Sequence, residues 1–428
     1  MISRKRFRSQ AVVLLLMGSV AVGLPTFAQT PAVAQGSVPQ ADSEGSGECT
    51  FPMKKQIKGR PWALQRLVFD RLWQDTKGKG VRVAVIDTGV DATNPQLKTA
   101  VDRAAGADLL PPSKDGTQDP AADASKGKGG GGNGTTDVIG HGTKVAGIIA
   151  ARPRAGTGFV GLAPEATVIP IRQNDDKGTG TAATMAAAIR HAIHKGAGVI
   201  NISQDTVKPL RADSDLALAV REALNKDIVV VASAGNDGLA GKVKLTYPAA
   251  YPGVLAVAAS DRNDERAPFS QTGSFVGVAA PGVDMVSTVP KGGQCVDNGT
   301  SFSAPYVAGV AALLRAKHPG WTQAQVVAQI EQTAERAVKG RDDFIGWGVV
   351  DPVRALNDDE HPVNAPTPDR AVSNGPAGPE PIALQMGETR QERFERISIY
   401  VLAATGILVA VIVGTAIVLR DRHRSVIK

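Results

Sequence analysis

The stretch Val81-Arg-Val-Ala-Val-Ile-Asp87-Thr-Gly89 decides how the rest of the chain is read. Val81–Ile86 is a short, largely β-branched apolar run, suited to a strand buried on both faces. Ile228–Ala232 is a second run of the same kind. Helical patterns over Ala182–Lys195, Asp213–Lys226, Tyr306–Lys317 and Gln323–Ala334 alternate with such runs. This alternation predicts an α/β fold, a parallel sheet with helices on both faces, over residues 60–356. Asp87 ends its strand, and open α/β sheets place their sites at the C-terminal strand ends. Taken alone, Asp87 equally fits a helix cap or a metal ligand.

The chain around this region has 428 residues, 43% of them hydrophobic, a formal charge of +7 and two cysteines. Global disorder is excluded by the ordinary charge and apolar content. A disulfide scaffold is excluded by the cysteine count. The sequence pI of 9.3 invites a nucleic-acid reading. However, residues 1–28 carry +4 and residues 420–428 carry +3, so residues 29–419 are formally neutral. The excess sits at the two ends, where membrane insertion uses it, and no nucleic-acid partner is expected.

Residues 1–34 read as a signal peptide, with cleavage after Ala28 or Ala34; an uncleaved anchor is the alternative. Residues 35–59 form an N-terminal extension. Residues 357–394 contain six prolines and read as a linker. Residues 397–419 carry no charge over 23 positions, enough to cross a bilayer, and the basic tail 420–428 fits a cytoplasmic flank. A buried core helix is the alternative for that segment. The ends together predict a single-pass protein of the cell membrane, its body extracellular, its C-terminus cytoplasmic, touching lipid through the C-terminal helix. The four glycines Gly129–Gly132 are not followed by Gly-Lys-Ser/Thr and do not read as a phosphate loop.

Three further motifs carry chemistry. His141 lies in Gly140-His-Gly-Thr-Lys-Val-Ala-Gly147, framed by glycines at the opening of a small-residue helix. Ser301 lies in Asn298-Gly-Thr-Ser-Phe-Ser-Ala-Pro305, turn residues feeding a helix with proline in its first turn. A serine there meets free backbone N–H groups and the positive helix end, but needs a base to become a nucleophile. Simple N-capping is the bland reading of Ser301. Asn236 follows Ile228-Val-Val-Val-Ala-Ser-Ala-Gly235 at a strand end. Its amide suits a developing oxyanion, and a turn asparagine is the plain alternative.

The segments around Asp87, His141, Asn236 and Ser301 closely resemble the subtilisin family of serine proteases, over residues 60–356. The resemblance implies a subtilisin-like fold in which Asp87 orients His141, His141 is general base and then acid, and Ser301 attacks a peptide carbonyl. Asn236 and the Ser301 N–H would hold the oxyanion. Gly178-Thr179-Gly180 resembles the edge segment that pairs with substrate backbone. Ser203-Gln204-Asp205 falls where the family lines its primary specificity pocket, and Ser233-Ala234-Gly235 is expected to bind substrate as well. The first of these is bulkier and more charged than the family's usual Ser-Leu-Gly-Gly, which implies a narrow substrate range. The whole layout also resembles the mycosins, membrane-anchored subtilisin-like proteases of type VII secretion, and implies protein or peptide substrates and a secretion complex as partner. A structural component of such a complex, with slight or dispensable proteolysis, is the competing reading. No cofactor and no metal is expected: the calcium loop of many subtilisins is here Arg152-Pro-Arg-Ala-Gly156, and its usual acid is Gln96. Cys49 and Cys295 are expected to pair, with an intermolecular bridge or two free thiols as alternatives.

Overall fold

Val83 and Val85 belong to one apolar core, and Ala84 and Ile86 to a second on the opposite side of the same strand. This period of two, buried on both faces, is what a central parallel strand requires. A computed structural model describes residues 49, 53, 56–110, 132–175, 180–205, 211–240, 245–369 and 388–426. The expected signal peptide and most of residues 35–59 and 370–387 lie outside them.

Two short helices, α1 (Trp62–Gln65) and α2 (Phe69–Leu72), precede β1 (Arg82–Asp87) and β2 (Ala107–Asp108). Then follow α3 (His141–Ala150), β3 (Thr167–Arg172), α4 (Ala182–His194), β4 (Val199–Ile202), α5 (Asp215–Asn225) and β5 (Val229–Ser233). β6 (Leu255–Ser260) and β7 (Val276–Pro281) complete a parallel seven-stranded sheet in the order β2-β3-β1-β4-β5-β6-β7. A hairpin of β8 (Met285–Thr288) and β9 (Gln294–Asp297) leads into α6 (Thr300–Lys317), α7 (Gln323–Thr333) and α8 (Pro352–Asn357). Helices α3, α6 and α7 share a core with Val83, Val85 and Val231 on one face. On the other, α4 and α5 pack with Ile86, Ile202 and Val230.

Strand order reverses at β1, whose neighbours are β3 and β4. Ile86 pairs with Ile202, and Ile202 with Ala232, so Asp87, Ser203 and Ser233 emerge at one sheet edge. That edge, at the switch of strand order, is the crevice such sheets offer to ligands.

Helix α6 begins at Thr300, earlier than the pattern from Tyr306 suggests, so Pro305 lies inside it rather than in its first turn. The reason is tertiary. Asn236 Oδ1 accepts from Thr300 N at 2.9 Å and caps the helix from another strand end. Pro305 has no N–H to give to the Ser301 carbonyl one turn earlier.

The described residues form two compact units, divided between Asp369 and Arg370. Residues 357–369 belong to the first, where Arg336 pairs with Asp369 and Gln332 with Thr367. The second contains α9 (Arg390–Val426), a helix long and apolar enough to cross a membrane.

Candidate active site

Asp87 is fully buried at the end of β1. Its Oδ1 accepts from Thr88 N at 2.7 Å and lies 2.7 Å from His141 Nδ1. His141 is the first residue of α3, and the helix can approach β1 this closely because position 142 is glycine. A Cβ there would stand 2.0 Å from Gly89 O. With Nδ1 donating to the carboxylate, Nε2 is the ring's acceptor. Burial of the ring pushes its pKa down. The charge and hydrogen bond of Asp87, and the charge of Asp137, outweigh that and hold it above the ordinary 6.5, while Lys144 opposes them.

Sequence reading missed Asp137. Helix α3 has no side-chain cap at Gly140, its N-cap residue. Asp137 does that work from outside the helix. Oδ1 accepts from Gly140 N at 2.7 Å, and Oδ2 from Thr143 N at 2.8 Å and Thr143 Oγ1 at 2.6 Å. Thr88 Oγ1 lies 2.9 Å from Asp137 Oδ1 and 3.3 Å from Asp87 Oδ1, and it accepts from Gly142 N at 3.0 Å. One hydroxyl thus joins the two carboxylates and the His141 turn. Burial pushes the Asp137 carboxyl up to about 6, against the hydrogen bonds from Thr143 and Gly140, and the charge of Asp87 adds to the rise. An acid a few residues before a helix whose N-cap is glycine was the available signal. Lys144 is a second omission. Its Nζ meets Asp297 Oδ2 at 2.7 Å and ties α3 to the strand just before Ser301.

Ser301 is the second residue of α6, and its Oγ donates to Ser203 O at 3.0 Å. The next side chain, Phe302, lies against the His141 ring with centroids 5.5 Å apart. Asn236 Oδ1 accepts from both Thr300 N and Thr300 Oγ1 at 2.9 Å. With the oxygen so engaged, the amide's NH₂ is its donor end, and it lies 3.6 Å from where a Cβ on Gly299 would stand. A carboxylate-held imidazole, a serine at a helix start and an oriented amide donor are the groups that acyl transfer uses.

Ser203, Gln204 and Asp205 leave β4 beside Ser301; Ser233, Ala234 and Gly235 leave β5 toward Asn236. Gln204 Oε1 accepts from Gln173 Nε2 at 2.5 Å. Gly180 stands beside the Gln173 and Asn174 amides ahead of α4. Gly178 and Thr179 lie outside the described residues. Cys49 and Cys295 are bonded to each other, joining the N-terminal extension to β9.

The family's calcium loop has a different tenant. Gln96 Nε2 donates to Arg152 O at 2.9 Å and Phe159 O at 3.0 Å, and Gln294 Nε2 donates to Gln96 Oε1 at 2.8 Å. Arg152 donates to Thr99 O at 3.2 Å. Carbonyls that could face a cation are taken by N–H donors, and a guanidinium stands beside them. This donor set does not fit calcium.

The subtilase family model matches residues 78–348. A thermophilic serine proteinase of Bacillus sp. (strain AK1) is 37% identical over 309 residues, 71% of this chain and 69% of that protein. Among solved structures, the MycP3 protease of the type VII (ESX-3) secretion system is 34% identical with a TM-score of 0.60, covering 71% of this chain and 91% of that one. The serine protease MycP1, described as an essential component of the type VII (ESX-1) secretion system, is 30% identical with a TM-score of 0.59, covering 72% and 91%. A parallel sheet with its switch point at Asp87, matched in these ways along most of its length, makes this chain a member of the subtilase family and a subtilisin-like serine endopeptidase.

Proposed function

We propose that this protein is a membrane-anchored, selective endopeptidase of the mycosin type, with Asp87, His141 and Ser301 as its catalytic triad and Asn236 as its oxyanion donor. The observation that carries the reading is the 2.7 Å contact of Asp87 Oδ1 with His141 Nδ1 at the switch point of the sheet. In catalysis the Ser301 hydroxyl leaves Ser203 O and turns to His141 Nε2, which takes its proton as Oγ bonds to the substrate carbonyl carbon. The carbonyl oxygen becomes an oxyanion, held by Asn236 Nδ2 and the Ser301 N–H. As the C–N bond breaks, His141 returns the proton to the leaving amine. Water then repeats the sequence on the acyl-enzyme, releasing the second product and restoring Ser301.

On this reading α9 crosses the cell membrane, with the protease unit extracellular and the basic C-terminus cytoplasmic. The likeness to MycP1 and MycP3 supports a place in a type VII secretion complex, with secreted proteins as substrates. A fluorophosphonate probe tests the enzyme directly. Ser301 should be labelled in the full chain, and labelling should be lost in Ser301→Ala and much slowed in His141→Ala. An intact, folded chain whose Ser301 is not labelled would overturn the catalytic assignment.

MycP1 is described as an essential component of its secretion system, and the second reading of this chain is a structural part of such a complex. Ser301→Ala changes no charge and leaves the fold, the disulfide and α9 in place. It should retain the complex that deletion of the chain loses.

A further inference from the structure

Thr88 stands between two buried carboxylates, and its hydroxyl has more claimants than protons. The residue is buried at the end of β1. A hydroxyl has one proton to donate and two lone pairs with which to accept. Gly142 N donates to Thr88 Oγ1 at 3.0 Å, which ties the turn of His141 to the end of the strand. The one proton faces Asp137 Oδ1 at 2.9 Å and Asp87 Oδ1 at 3.3 Å. The first distance is that of an ordinary O–H···O bond and the second is not. In this structure the proton therefore belongs to Asp137, and Asp87 goes without it.

Asp87 is sensitive to that loss. Its Oδ2 is buried with no hydrogen-bond partner among the described residues, so Oδ1 alone meets Thr88 N and His141 Nδ1, each at 2.7 Å. A carboxylate that accepts fewer hydrogen bonds holds an imidazolium more firmly, and one bond gained at Oδ1 weakens that hold. Asp137 claims the Thr88 proton according to its charge, because an ionised carboxylate is a far stronger acceptor than a neutral carboxyl. Burial pushes Asp137 up to about 6, so both of its forms occur close to neutrality. The remaining charges at this turn are the His141 ring and Lys144 on α3, the latter paired with Asp297 of β9; none of them bonds to the Thr88 hydroxyl.

We propose that Thr88 is a positioning residue that relays the ionisation of Asp137 to the base: its hydroxyl donates to Asp137 while that carboxyl is charged and turns to Asp87 Oδ1 when it is not. The proton stays on Thr88 Oγ1 throughout, and only its acceptor changes. With Asp137 charged, Asp87 keeps its full pull on His141. With Asp137 neutral, Asp87 is shared and the imidazolium is held less firmly. This rests on the reading of His141 as the base that activates Ser301.

The test follows fluorophosphonate labelling of Ser301 against pH in the detergent-solubilised full chain, across a double-mutant cycle. Asp137→Asn, whose amide oxygen is the weaker acceptor, should move the acidic limb to lower pH by about 0.5 or more. In Thr88→Val, which keeps the shape and removes the hydroxyl, the same substitution should move the limb less than half as far. Thr88→Ser keeps the hydroxyl and should preserve more than half of the displacement. Thr88→Val should also label about fivefold or more slowly across the pH range, since Gly142 N loses its acceptor. Thr88→Ala takes the place of Thr88→Val if the latter loses its unfolding transition. A limb that Asp137→Asn does not move, or moves equally with and without the hydroxyl, would overturn the relay and leave only charge acting across space. An unchanged rate in Thr88→Val would remove its positioning role. Both results spare the catalytic reading, which falls instead if wild-type Ser301, in a folded chain, is not labelled or shows no acidic limb.

Discussion

Asp137 is the residue whose replacement separates position from chemistry at this site. In Asp137→Ala the buried N–H groups of Gly140 and Thr143 lose their acceptor, and the Thr143 and Thr88 hydroxyls lose a partner. Each orphaned buried donor costs about 1–3 kcal/mol and a lost cap about 1 kcal/mol, overlapping terms that together give about 3–4 kcal/mol. Asp137→Asn keeps one acceptor oxygen and removes the charge, so its penalty should be smaller. The pH dependence carries the sharper information. Burial raises this carboxyl from an ordinary 3.8 to about 6. The folded state therefore holds an extra proton between those values, and the group's contribution to stability is lost as pH rises through that window. A rise of about two pH units corresponds to about 3 kcal/mol. Asparagine does not titrate, so the penalty of Asp137→Asn should shrink between about pH 4 and about pH 7. Urea unfolding followed by the four tryptophans, all in the unit that holds the site, measures this directly. A penalty that grows over the same range would refute the reasoning. It would mean that the hydrogen bonds to the ionised carboxylate outweigh its burial.

The same substitution should move the acidic limb of kcat/KM. Asp137's charge helps hold His141 above its ordinary value, so the limb in Asp137→Asn should lie at lower pH than in the wild type. For the wild type itself, activity should fall as pH drops through a value above about 6.5, because only the neutral ring accepts the Ser301 proton; a limb well below that value would contradict the Asp87–His141 geometry. Asn236→Ala should lower kcat by about 10²–10³ with little effect on the unfolding midpoint, the range measured for subtilisin's own oxyanion asparagine; unchanged kcat would remove Asn236 from the mechanism. EDTA should leave the melting temperature unchanged, since the Gln96 amide occupies the Arg152 and Phe159 carbonyls, and a large drop would reveal a metal site elsewhere.

The parts of this protein that were legible in its sequence share one property: their signals are local. Asp87, His141, Asn236 and Ser301 each lie within two residues of a glycine, at the end of an apolar run or the opening of a helix, and the strands around β1 and β5 declare themselves by β-branched residues. Strands β6 and β7 carry Leu-Ala-Val-Ala-Ala-Ser and Val-Gly-Val-Ala-Ala-Pro, too rich in small residues to stand out. They are strands because Val257 and Val278 pack under α6 on one face while Ala258 and Ala279 pack with Ala234 and Val349 on the other, a condition no window of sequence contains. The start of α6 was hidden for a similar reason, since its cap comes from Asn236, 64 residues away in the chain. Asp137 reaches Thr88 across 49 residues. The groups that perform chemistry must sit at element ends, where glycine and turn residues mark them. The groups that aim them act through space and leave only a faint local mark, as Asp137 does by preceding a glycine N-cap. This division has a consequence for mutation. Replacing a locally marked residue should abolish a step, as with Ser301 or Asn236. Replacing an aiming residue such as Asp137 or Lys144 should instead shift a pKa or loosen a helix, leaving an enzyme that works at a different pH rather than none.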